Sequence, residues 1–229
     1  MSGTGGKRNK IAQTASVVFI VLLALPFGAY AIERSLMVLD PAEQASARFF
    51  DVGSRFASYV LYLHMGIGGA ITVLAPLQLL QIIRQRAPTV HRVMGYVISI
   101  AALSTACAGL FYILRAGTIG GRWMDAGFAL YGVLMILCAI QTIRHARART
   151  SLHQIWASRL VILALASWLY RVHYGLWEIT TGGIASNEAF TGVFDRIQVF
   201  AFYLPYLALY ELWRRRYLAR HQVSTFKMR

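Results

Sequence analysis

Apolar residues in this chain arrive in long blocks, and the charged residues fall between the blocks instead of recurring every few positions within them. A hydrocarbon layer about 30 Å thick is crossed by about 20 apolar residues in a helix. Six stretches approach or exceed that length: Ile11 to Ile32, Ala57 to Ile83, Val93 to Leu114, Ala126 to Ile143, Leu160 to Leu176 and Val193 to Trp213. The pattern predicts an all-α polytopic membrane protein, a six-transmembrane-helix bundle over residues 11–213, flanked by a basic N-terminus (1–10) and a basic tail (214–229). No soluble domain is left over.

The first stretch follows Lys7, Arg8 and Lys10 and contains Ala29-Tyr30-Ala31, which invites comparison with a cleavable secretory signal. Its apolar core is longer than the roughly 7–15 residues of such a region, so a retained helix is expected.

Composition agrees with the pattern. Apolar residues make up 57% of the chain and charged residues 14%, outside the range of soluble domains. The net charge of +14 would suit nucleic acid if the basic residues shared one polar face, but here they punctuate apolar blocks. Anionic lipid headgroups are the expected partner, and no nucleic acid is. Cys107 and Cys138 both lie inside apolar blocks, so neither a disulfide framework nor a paired-cysteine metal motif is expected.

The positions of Lys and Arg beside the helix ends set the expected orientation. With the N-terminus inside, sixteen of the twenty-three basic residues fall in inner segments, including Arg84, Arg86, Arg92, Arg144, Arg147, Arg149, Arg159 and the Arg214-Arg215-Arg216 run. Of the nine acidic residues only Glu211 falls inside. Both termini are therefore expected in the cytoplasm and the chain in the cytoplasmic (inner) membrane. Trp123, Trp177 and Trp213, with Tyr30, lie near block ends, where aromatic rings anchor at headgroup level.

Ionisable side chains at membrane depth are costly and become candidates for function. Four histidines qualify, His64 and His173 towards the outer face and His91 and His153 at the inner face. Pairs of imidazoles from facing helices are a common way to hold haem iron, so these four are the candidate ligands of a b-type haem. From His91, the residues Gly95, Ser99, Ala102, Ala106 and Gly109 stand at offsets of 4, 8, 11, 15 and 18, a single helical face of small side chains. Such a face admits a flat cofactor or, equally, a neighbouring helix. His153 and His173 lie 20 residues apart on one predicted helix, about 30 Å along it and on nearly opposite sides, which favours one haem or none over two. Arg171 must pair, hydrogen-bond or snorkel; it is a candidate for holding a quinone oxygen, a haem propionate or a carboxylate, with an ion pair to Asp195 or Glu178 as the structural alternative. Pro76 predicts a kink, and Gln78 beside it is placed either to satisfy the freed carbonyl or to face a cavity.

Several of these residues form a larger pattern: His64 and Gly68, Pro76-x-Gln78, Arg84-x-Arg86-x-Pro88-x-x-His91-Arg92-x-x-Gly95-Tyr96, His153-x-x-Trp156-x-x-Arg159, and Tyr170-Arg171. In this the chain resembles a bacterial family of predicted integral membrane proteins catalogued as domain of unknown function 2306. The resemblance runs from about residue 57 to 178 and implies a helical membrane bundle with a shared polar set. The chain is more distantly similar to transmembrane b-type cytochromes. It departs from their two-haem pattern in that its fourth block carries no histidine, His145 lying beyond the inner end.

Two functional readings follow. In one, the bundle interior binds haem b or a quinone and takes part in membrane electron transfer through His64, His173, His91, His153 and Arg171. In the other, the protein is not redox-active. It binds or moves a small or lipid-like molecule, or serves a membrane-protein partner as accessory subunit, with Arg171, Gln78 and the histidines lining a polar cavity. No nucleotide-binding glycine loop, metalloprotease helix or hydrolase elbow is present in the sequence.

Overall fold

A computed structural model describes residues 3–44 and 54–226, with side chains over 11–44 and 54–218. Lys7, Arg8, Lys10, Arg48, Asp51, Arg220, Lys227 and Arg229, charged residues that bear on the expected orientation, lie outside the described side chains. The described residues form helices only: α1 (Gly3–Met37), α2 (Pro41–Gln44), α3 (Arg55–Leu77), α4 (Gln81–Arg86), α5 (Pro88–Ala116), α6 (Gly121–Arg147), α7 (Leu152–Thr181), α8 (Val193–Ala201) and α9 (Leu204–Phe226).

Five of them, α1, α3, α5, α6 and α7, are long and apolar enough to cross a membrane. Their outward faces carry large apolar side chains such as Leu63, Val97, Ile100, Val133 and Ile140, each exposed. A perimeter of this kind is stable only where lipid is the solvent. The chain is a membrane protein.

Two of the expected stretches are interrupted, each at a proline. In the stretch from Ala57 to Ile83 the helix stops at Leu77 and resumes as α4 at Gln81, with Leu80 extended between them (φ −68°, ψ 115°). Pro76 has no N–H to give the carbonyl of Thr72, so the last turn tightens before the chain bends. The stretch from Val193 to Trp213 is likewise two helices, broken at Phe202 and Tyr203. Pro205 cannot donate to the Ala201 carbonyl, and the freed turn directs Phe202 and Tyr203 into the core, where both are fully buried.

The packing is a closed ring. α3 lies against α5, α5 against α6, α6 against α7, and α7 against α3, each antiparallel to its neighbour. α1 packs on the outside of α3, and α8 and α9 lie along α6 and α7. Small residues set the closeness of these seams. A Cβ on Gly69 would come within 2.6 Å of the Ala31 Cβ, and one on Gly28 within 2.6 Å of Val73 Cγ2, so α1 and α3 touch backbone to backbone. Between α3 and α7 the Thr72 hydroxyl sits 2.8 Å from the carbonyls of both Gly68 and Ala164. The core within the ring is built from Ile71, Ile98, Ala102, Met135, Leu163 and Ala164, closed by Phe202 and Tyr203.

Candidate functional site

The break after Leu77 is what makes the site. It leaves Gln78 at the C-terminal end of α3, and the α4 segment swings aside before α5 begins at Pro88. The starts of α5 and α7 and the end of α6 meet at this same end of the ring, hereafter the Gln78 end. Between them, and extending to α9, lies a cavity of about 850 Å³. Gln78, His91, Tyr96, Ser158, Trp213 and Arg214 are among the residues that line it, and its floor is formed by the buried Ala75, Ile98, Leu160 and Val161. One wall is closed by α1, where Gln13 Nε2 donates to the Leu79 carbonyl at 3.4 Å.

Three of the sequence candidates come together here: Gln78, His91 and His153. Both amide atoms of Gln78 and the Nδ1 of His91 are buried with no hydrogen-bond partner. Gly95, one turn after His91, leaves room for that amide; a Cβ there would stand 3.7 Å from Gln78 Oε1. His153 is placed by Nδ1, 3.2 Å from the Thr142 carbonyl. A carbonyl only accepts, so Nδ1 carries a proton and donates it there. Below the cavity mouth, Glu211 accepts from Arg159 (Nε, 2.8 Å) and Arg214 (Nη2, 2.8 Å), and Arg159 stacks on Trp156 at 4.3 Å. This cluster ties α7 to α9 and holds Arg214 at the rim.

The other candidates are apart from the cavity. His64 of α3 faces α5: its Nδ1 lies 2.7 Å from the Thr105 carbonyl, and the Thr105 hydroxyl donates to the His64 carbonyl at 2.9 Å. Gly109 makes this possible, since a Cβ there would stand only 3.0 Å from the imidazole. The small face of α5 thus seats a histidine and the neighbouring helix. His173 has both nitrogens engaged, Nδ1 with the Gln198 amide (2.9 Å to Nε2) and Nε2 with the Tyr206 hydroxyl (2.7 Å). His64 and His173 therefore do not present two free imidazoles to a shared iron. Among the described residues no group of three or more His, Cys, Asp or Glu is placed to hold a metal ion.

Arg171 lies on the flank between α7 and α1, its guanidinium 4.7 Å from the Phe27 ring and Nη1 donating to the Ser167 carbonyl at 3.1 Å. The ion pair considered for it with Asp195 or Glu178 does not form among the described residues. Asp195 is instead occupied by Tyr174 (2.8 Å), Ser186 (2.7 Å) and the backbone amides of Asn187 and Gly192. It caps the start of α8 and fastens the preceding loop to α7.

Trp213, expected as an interfacial anchor, forms part of the cavity wall, as do Tyr96 and Ser158. Tyr96 stood beside Gly95 in the family pattern; the sequence marked Trp213 only as a headgroup anchor, and nothing in it distinguishes Ser158 from ordinary helix residues.

Fold and cavity together define a multi-pass helical membrane protein with a largely apolar chamber, carrying a few polar groups, at one end of a four-helix ring. The chain belongs to the family described as Predicted membrane protein (DUF2306), which matches residues 61–221. No curated protein and no solved structure matches the chain.

Proposed function

We propose that this membrane protein binds a small or lipid-like molecule in the cavity at its Gln78 end, and that this end faces the cytoplasmic leaflet. In this reading the chain crosses the membrane six times, α8 and α9 together making the sixth crossing, with both termini in the cytoplasm. The excess of Lys and Arg near the Gln78 end supports the orientation.

The observation that carries the binding reading is the side chain of Gln78, whose carbonyl oxygen and amide nitrogen are both buried and unpartnered in the wall of a space of about 850 Å³. An orphaned polar atom costs roughly 1–3 kcal/mol, which a protein ordinarily avoids. A single bridging water needs about 10–15 Å³ of such space, whereas sites for small molecules span about 300–1,000 Å³. The cavity belongs to the second class. Its polar groups are few and convergent and its floor is apolar, which is the composition of a ligand site.

The test uses the full chain in dodecyl maltoside with Cys107→Ser, because Cys107 is exposed and Cys138 is buried. Ser158→Cys then reports on the cavity through its rate of thiol labelling. A set of ten-carbon compounds differing only in the head (decanol, decanoate, decyl phosphate and decyltrimethylammonium) is added in turn. At least one slows labelling in a saturable manner, and Gly95→Leu, which fills the space beside Gln78, abolishes the protection. Unchanged labelling with all four compounds would end the binding reading. Gly95→Ala, whose Cβ makes only ordinary contact, controls for folding.

A further inference from the structure

We infer that the ligand of this cavity is an anionic amphiphile, a carboxylate or phosphate head attached to an alkyl chain; this rests on the binding reading above and names its chemical class. Among the described residues the lining contains Arg84, Arg92 and Arg214 and not one Asp or Glu. Arg214 shares the single Glu211 carboxylate with Arg159, and Arg84 and Arg92 have no carboxylate partner among the described residues. The space therefore carries an uncompensated positive field from two guanidinium groups that stand exposed at its edge, beside apolar walls. A cationic head would meet that field without any counter-charge. An oxyanion meets the guanidinium donors instead, with Gln78 and His91 in the adjoining wall.

The alkyl chain follows from the rest of the wall. Leu79, Ile98, Ile143, Leu160, Val161 and Trp213 leave a free inorganic anion nothing to touch over most of the surface. A chain would cover them while the head stays at the arginines, in the manner of a lipid at the membrane surface. Carboxylate and phosphate share the recognising chemistry, and the experiment separates the lipid-borne head from the free ion.

In the Cys107→Ser, Ser158→Cys protein the labelling rates of two methanethiosulfonates of similar size are compared, an ethylsulfonate and an ethyltrimethylammonium, each normalised to its rate with a free thiol. The anionic reagent reacts faster by about fivefold or more, given that each nearby basic residue contributes roughly that factor. Arg84→Gln with Arg92→Gln brings the ratio close to one. In the protection assay decanoate and decyl phosphate slow labelling at concentrations at least about tenfold below decanol, and decyltrimethylammonium does not compete. Inorganic phosphate alone gives no protection. Ala157→Cys, also on the cavity wall, serves as second reporter if Ser158→Cys disturbs folding. Equal or faster reaction of the cationic reagent, or protection by decanol matching that of decanoate, overturns the assignment of charge while leaving binding itself in place. Protection by inorganic phosphate at the concentration of decyl phosphate overturns the chain.

Discussion

Gln78 is an expensive residue where it stands. Its two amide atoms are buried and unpartnered, so replacing it with leucine, of similar reach and no polarity, removes a desolvation cost of about 1–3 kcal/mol per atom. Gln78→Leu is expected to raise the melting temperature in detergent, followed by intrinsic tryptophan fluorescence, while abolishing the protection of Ser158→Cys by amphiphiles. Stability and function then move in opposite directions, as is usual where a site is built from unsatisfied groups. Arg171 makes the complementary case. It stands ten residues, about 15 Å, from the C-terminal end of α7, with a ring and a carbonyl for company but no carboxylate. Arg171→Leu is expected to leave cavity labelling unchanged and to melt at the same temperature or higher, since an arginine within the span carries an insertion cost that leucine does not; altered amphiphile protection would show that it reaches the site after all. The sequence pointed to Gln78, His91 and His153 because polar residues at membrane depth are rare enough to be noticed singly. It could not tell that Gln78 and the two histidines share a space from which His64 and His173 are excluded. That division depends on which helix each ring meets, Thr105 for His64 and Gln198 with Tyr206 for His173.

Among the helices, glycine placement separates what packs from what is spare. Gly68 and Gly69 are adjacent on α3 yet face different neighbours: a Cβ on Gly69 collides with Ala31 at 2.6 Å, while one on Gly68 rests 3.8 Å from the Thr105 hydroxyl. Gly69→Leu should therefore displace α1 and cost roughly 1–3 kcal/mol, read as a lower melting temperature, whereas Gly68→Ala should be close to neutral. Hydropathy alone located α1, α3, α5, α6 and α7, with ends two to eight residues from those of the helices, because a run of apolar residues has no other stable conformation in lipid. It failed where proline acts through a single missing N–H, at Pro76 and Pro205. There the apolar run continues but the helix does not. The second of these breaks also decides the core, since it turns Phe202 and Tyr203 inward against Tyr131 at ring distances of 5.1 and 5.4 Å.

For the molecule as a whole, the proposed threading predicts that reporter tags fused to the two ends both respond in the cytoplasm, and that a tag inserted in the loop after α5 responds outside. Tags reporting from opposite compartments would reduce the crossings to an odd number and leave α8 and α9 at the surface. The two ends of the ring are also built differently. One is fastened by Asp195, whose carboxylate gathers four donors from α7 and the loop before α8; the other holds the chamber. Beneath the chamber, Ile98 and Leu160 give way directly to the fully packed layer of Ala102, Leu163 and Ala164. The shape is that of a cup and not a tube. With that packed layer across the ring, the protein reconstituted in planar bilayers should pass no ionic current, and any movement of a solute across it would have to be slow, saturable and accompanied by rearrangement of the helices.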